Sequence, residues 1–118
     1  MAAETTQKES DRLKALGNEL FVAKQYHQAL ALYTQAINVD PTNAVLYSNR
    51  ATTNFLLEHY AASVEDSAIA IQHDPKNAKA WYRRAESYTA LGKLFEAQKD
   101  YKQVCFKKKI PHFLLVQV

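Results

Sequence analysis

Glycine and cysteine are almost missing from this chain, and each scarcity removes a class of function. Two glycines in 118 residues cannot build a loop whose backbone cradles phosphates. The single cysteine, Cys105, excludes an internal disulfide and agrees with a reducing compartment. Its neighbours Val104 and Phe106 are apolar, so Cys105 is read as packing rather than as a nucleophile. The four histidines, His27, His59, His73 and His112, are scattered, and none has the spaced partner of a helical metal pair. Apolar runs are too short to span a bilayer, and no alternating strand pattern appears. Residues 1–9 have no hydrophobic core segment, so they are not a signal peptide and are expected to be a flexible leader.

The charge balance is also unremarkable once its source is found. The formal net charge is +3 and the pI is about 9.0. Lys107, Lys108 and Lys109 account for it, because the other twelve basic residues match twelve acids. No broad positive field exists, so nucleic-acid binding is not implied. Three lysines beside a helix end suit the helix dipole.

What the chain does contain is a repeat. Asp40-Pro41-Thr42-Asn43-Ala44 returns as Asp74-Pro75-Lys76-Asn77-Ala78, 34 positions later. A period of this length marks stacked copies of one supersecondary unit. The same shift aligns Leu13, Tyr47 and Trp81, then Gly17, Ala51 and Ala85. It also aligns Ala36 with Ala70, Tyr26 with Tyr60 and, over two periods, Ala29 with Ala97 and Tyr33 with Tyr101. Small residues recur where two helices would cross closely, and large ones a turn or two away. Each unit therefore reads as two packed helices. The expected pairs are 10–24 with 26–39, 43–57 with 61–73, and 77–91 with 94–107. Asn43 and Asn77 suit helix N-caps, and each Asp-Pro ends the preceding helix. Gly92 suits a left-handed helix terminator. Three units are about the fewest that stack stably, giving one quasi-linear domain.

These columns resemble the tetratricopeptide repeat. The matching residues are Leu16-Gly17, Ala29, Tyr33, Ala36 and Pro41 in the first unit, and Ala51, Tyr60, Ala70 and Pro75 in the second. Trp81, Ala85, Tyr88, Gly92, Ala97 and Tyr101 carry the third. The resemblance spans Ser10 to about Lys109 and implies an all-α, right-handed superhelical stack of three helix-turn-helix repeats, at about 10–43, 44–77 and 78–109. Departures fall in the second unit: Asn54 where a tyrosine is usual, Ser63 for alanine, and Ser67 for an aromatic. They are expected to weaken its packing. The third unit has Lys109 where proline is usual, and Pro111 comes two residues late.

In this family the first helix of each unit lines the concave face. Lys14 and Asn18 lie four apart on one such helix, Asn49 on the next, and Lys79 and Arg83 four apart on the third. Residues four apart share a helix face. Asparagine is a poor helix-interior residue, so Asn18 and Asn49 in particular want a reason. The set resembles the two-carboxylate clamp of chaperone-binding tetratricopeptide domains. By that resemblance the ligand is the Glu-Glu-Val-Asp C-terminus of the cytosolic 90-kDa and 70-kDa heat-shock chaperones. Asn18 and Asn49, helped by Lys14, would take the terminal carboxylate. Lys79 and Arg83 would hold the aspartate side chain or upstream acids. Phe21, Thr52 and Phe55 would form the pocket for the valine. The donor chemistry fits two adjacent carboxylates: lysine offers three mobile donors, arginine a planar fork, and asparagine a neutral amide.

Taken singly, Lys14, Lys79 and Arg83 read as solvated helix charges, and Asn49 as a satisfied interhelical amide. Arg84 reads as such a charge or as the partner of an acid on the adjacent helix. The seven tyrosines follow the repeat and read as packing rather than as a base-stacking platform.

The resemblance implies a binding module, not an enzyme, with no cofactor or metal, in the cytoplasm, with the nucleus as a second location. A monomer is expected, with self-association through the tail as the other arrangement. The run Trp81-Tyr82-Arg83-Arg84-Ala85 with Leu91-Gly92-Lys93 resembles arrays that precede a serine/threonine phosphatase domain. Such an array would target or restrain a catalytic domain outside these residues. The alternative is a scaffold for an internal peptide or helix of a non-chaperone partner. The apolar tail 110–118 is expected to need covering, by the third unit, by another copy, or by a neighbour missing from a fragment or short isoform.

Overall fold

A computed structural model describes residues 2–108, which form six helices and no strand. They are α1 (Ala2–Val22), α2 (Tyr26–Val39), α3 (Ala44–Leu56), α4 (Tyr60–His73), α5 (Ala78–Ala90) and α6 (Leu94–Lys108). Each odd-numbered helix packs on the even one after it, and α2–α3 and α4–α5 join the pairs. The helix α3 also packs directly on α5, so first helices of neighbouring units share one side of the stack.

The punctuation works locally as its residue types demand. Asn43 Oδ1 accepts from the Val45 backbone N–H at 3.1 Å, and Asn77 Oδ1 from that of Ala80 at 3.2 Å. These side chains satisfy donors that a helix start leaves without partners. Within each pair the turn closes on a left-handed residue: Lys24 (φ 63°), Glu58 (φ 65°) and Gly92 (φ 78°), each 34 positions from the next. The following N–H then bonds five residues back, from Gln25 to Leu20, His59 to Asn54 and Lys93 to Tyr88, each at 2.8 Å. Only one of the three is glycine, so two side chains are held in a region that costs non-glycine residues energy.

The core is built from the recurring small residues. Ala29, Ala36, Ala51, Ala70, Ala80 and Ala85 have no exposed surface, and Leu46 and Tyr33 are buried among the same helices. Gly17 allows the closest approach: a Cβ there would lie 2.7 Å from a ring carbon of Tyr33, which is 2% exposed. The ring has nowhere to go, so we expect Gly17→Ala to lower unfolding free energy by about 1–2 kcal/mol, despite alanine's better helix propensity. Urea denaturation checks it; a variant as stable as the parent would refute the close approach.

Three expectations change. Residues 2–9 are not a leader outside the fold but the first turns of α1. The absence of apolar residues misled, because exposed helix depends on propensity and local pairs rather than on burial. Gln7 Nε2 donates to Asp11 at 2.9 Å, and Arg12 forks onto Glu9 at 2.8 and 3.1 Å. The second unit's departures are accommodated rather than loosely packed. Asn54 Nδ2 donates to Asp66 at 3.0 Å, and the buried hydroxyls of Ser63 and Ser87 meet at 2.8 Å. Ser67 is buried as well, with its hydroxyl left without a partner. Cys105 is only half-buried, since its neighbours point apart: Val104 is 2% exposed and Phe106 81%. The tail 110–118 and Lys109 lie outside the described residues.

Candidate functional site

The three first helices converge on one cleft. Asn18 and Phe21 from α1, Asn49 and Thr52 from α3, and Lys79 from α5 line a cavity of about 80 Å³. Tyr33 of α2 closes its floor. Five of the eight residues singled out from sequence thus meet at one place, from three units.

The polar atoms there have a consistent sense. Tyr33 Oη donates to Asn18 Oδ1 at 2.5 Å, and Lys79 Nζ donates to Asn49 Oδ1 at 3.3 Å. Each amide oxygen already accepts one hydrogen bond, which leaves the Nδ2 donors available to a ligand. Burial pushes the Tyr33 phenol up to about 12, which keeps it a proton donor. Thr52 adds no acceptor demand, since its hydroxyl donates to the Ser48 carbonyl at 3.1 Å.

Lys79 is exposed as a residue, yet its pKa is lowered, first by desolvation and then by the charge of Arg83. The concave wall displaces water from the ammonium without supplying an anion. Arg83 lies just beyond, with its guanidinium 4.8 Å over the ring of Phe55. Phe55 and Phe21 are held edge-on by Tyr60 and Tyr26, at ring distances of 5.5 and 5.4 Å. Arg83 and Phe55 therefore extend the site along α3 and α5 but do not line the cavity. Lys14 stands apart. It is half-buried on α1, one turn before Asn18, and among the described residues it makes no ion pair.

Two participants were not legible as site residues. Tyr33 sits on a second helix and read as core. Glu86 accepts from Arg83 Nη1 at 2.7 Å; its one signal was the repeat column it shares with Asn18 and Thr52. Arg84 turns away from the cleft: it forks onto Asp100 at 2.7 and 2.8 Å and lies 5.1 Å over Trp81. Among the described residues no group of three or more metal-binding side chains forms. The rings of His27 and His59 stand 6.4 Å apart without a third ligand. His112 lies outside the described residues. No described helix is long and apolar enough to cross a membrane.

A TPR-repeat profile matches residues 17–57, and a second tetratricopeptide-repeat profile matches 70–99. The first TPR domain of Spaghetti (RPAP3), solved with the HSP90 peptide SRMEEVD, superposes with a TM-score of 0.86 at 35% identity. The match covers 88% of this chain and 82% of that one. The chain belongs to the tetratricopeptide repeat family. The second TPR domain of human RPAP3, solved with the HSP70 peptide SGPTIEEVD, gives a TM-score of 0.85 at 33% identity, over 88% of this chain and 87% of that one. Rat serine/threonine-protein phosphatase 5 is 42% identical over 102 residues, which are 86% of this TPR chain but 20% of the phosphatase. The chain thus spans about a fifth of that relative, and only a TPR region, a binding fold, is shared.

Proposed function

We propose that this TPR domain binds the acidic C-terminus of cytosolic 90-kDa and 70-kDa heat-shock chaperones, gripping Glu-Glu-Val-Asp through a carboxylate clamp. The observation that carries the reading is the orientation of the two asparagines. Each amide oxygen already accepts one hydrogen bond, so Asn18 and Asn49 keep their Nδ2 donors for a ligand, and Lys79 adds a cation with no acid partner among the described residues. A cleft lined by donors and short of anions suits a free terminal carboxylate, a known mode of peptide capture. The relatives solved with SRMEEVD and SGPTIEEVD support the ligand class.

Roles follow from position. Asn18 and Asn49 take the terminal carboxylate, with Lys14 approaching from one turn back. Lys79 and Arg83 take the aspartate side chain or an upstream glutamate. Phe21, Thr52 and Phe55 flank the valine. The likeness to phosphatase 5 supports a parent protein in which the domain recruits a chaperone to, or restrains, a phosphatase domain. Chaperone binding of this kind supports a cytosolic location.

The test is a calorimetric titration with a Glu-Glu-Val-Asp peptide as free acid and as C-terminal amide. The acid is expected to bind near 1 μM, about −8 kcal/mol, with affinity falling as salt rises. The amide is expected to bind at least about tenfold more weakly. Equal affinities would sink the clamp and favour a scaffold for internal peptides.

A further inference from the structure

The clamp carries a carboxylate of its own. Glu86, one turn along α5, pairs with Arg83 at 2.7 Å, and the two side chains are 26% and 18% exposed. A ligand carboxylate grips a guanidinium through one of two forked edges, Nε with Nη2 or Nη1 with Nη2. The Nε edge of Arg83 is shut, and Glu86 already draws on the other. Its Nε is buried without a partner, and its Nη1 is engaged by Glu86. While Glu86 stays in place, a ligand carboxylate meets a guanidinium whose charge is already answered.

Glu86 is not needed to aim the arginine. The guanidinium already rests on the Phe55 ring, and Arg83 lies in the middle of a regular helix. Nor is Glu86 a comfortable acid. Burial pushes its carboxyl pKa up, against the opposing charge of Arg83 and a hydrogen bond with Tyr82. Lys79, the clamp's other cation on α5, pairs with no acid among the described residues.

Resting on the clamp reading, we infer that Glu86 is an intramolecular competitor that occupies Arg83 in the free domain and lowers its affinity for acidic C-termini. A ligand must displace Glu86 or share Arg83 with it. Glu86 thereby sets how strongly the second anionic group of the peptide is felt.

The experiment compares the parent, Glu86→Gln, Glu86→Ala and the control Glu96→Gln with the acid and amide peptides, after thermal melts establish folding. Glu96 is exposed on α6, and its replacement changes net charge by the same amount. Both Glu86 variants are expected to bind the acid roughly fivefold more tightly, the yield of one freed, partly buried pair. Glu96→Gln should stay within about twofold of the parent, since its charge is screened. Unchanged or weaker binding by both Glu86 variants, with a parent that still prefers the acid, overturns the competitor role alone. Equal tightening by Glu96→Gln overturns it too, by reducing the effect to net charge. A parent that binds acid and amide alike overturns the clamp and this inference together.

Discussion

Asn49→Asp is expected to weaken binding of the free-acid peptide by about 3 kcal/mol, roughly 150-fold, while the domain stays folded. The argument is one of sign. In the parent, Asn49 lines the cleft, accepts from Lys79 through Oδ1 and keeps its Nδ2 donor for a ligand. Aspartate would keep the acceptor, now charged, and pair with Lys79. In the place of Nδ2 it would present an oxygen to the incoming carboxylate. A donor, a free cation and a neutral wall are lost together. Asn49→Ala removes the donor but adds no charge, so about 1–2 kcal/mol is expected. The ranking is the sharp part. Calorimetry should place Asn49→Asp well below Asn49→Ala, which in turn lies below the parent. An aspartate variant within threefold of the parent would remove Asn49 from the clamp. Half-burial of Asn49 leaves room for the isosteric change, and a melting curve checks it.

That expectation draws on geometry that the sequence reveals only in part. Periodicity located the helices well, because Asp-Pro and Asn write their conformational roles into the chain: Asn43 and Asn77 do cap α3 and α5. The turns were less visible. Gly92 announces a left-handed residue, whereas Lys24 and Glu58 adopt the same conformation with nothing in their chemistry to signal it. The start of α1 was hidden for the opposite reason. Amphipathic pattern detects burial, and residues 4–8 are helical yet exposed.

The site divides along a similar line. Spacing placed Asn18, Asn49 and Lys79 on facing helix surfaces because helix phase is a property of position. It could not give the direction of a hydrogen bond. Which oxygen Tyr33 donates to, and that Glu86 answers Arg83 while no acid among the described residues answers Lys79, are outcomes of packing between side chains on different turns and helices. The pairing of Arg84 with Asp100 was one of two readings that the sequence allowed, and the structure selects it. Its counterpart one period earlier, Arg50 with Asp66, shows that the device is repeated.

That repeated ion pair yields the largest expected effect on stability. Asp66 is 4% exposed and accepts from Arg50 Nε at 2.9 Å, Arg50 Nη2 at 2.7 Å and Asn54 Nδ2 at 3.0 Å. Asp66→Ala would strand a partly buried guanidinium and a buried amide, and should lower unfolding free energy by about 3–4 kcal/mol. In the third unit Tyr88 stands where Asn54 stands in the second, so Asp100 lacks that amide donor. Asp100→Ala should therefore cost less, about 2–3 kcal/mol. The first unit shows a way to restore the loss. One period before Arg50 and Asp66 stand Leu16 and Leu32, so the same helix crossing is made without charge. The double variant Arg50→Leu with Asp66→Leu should recover most of the stability, short by the stranded Asn54 amide at about 1 kcal/mol. A double-mutant cycle in urea reads both steps. A loss under about 1 kcal/mol for Asp66→Ala, or a double variant less stable than that single one, would show that the pair is not what joins α3 to α4.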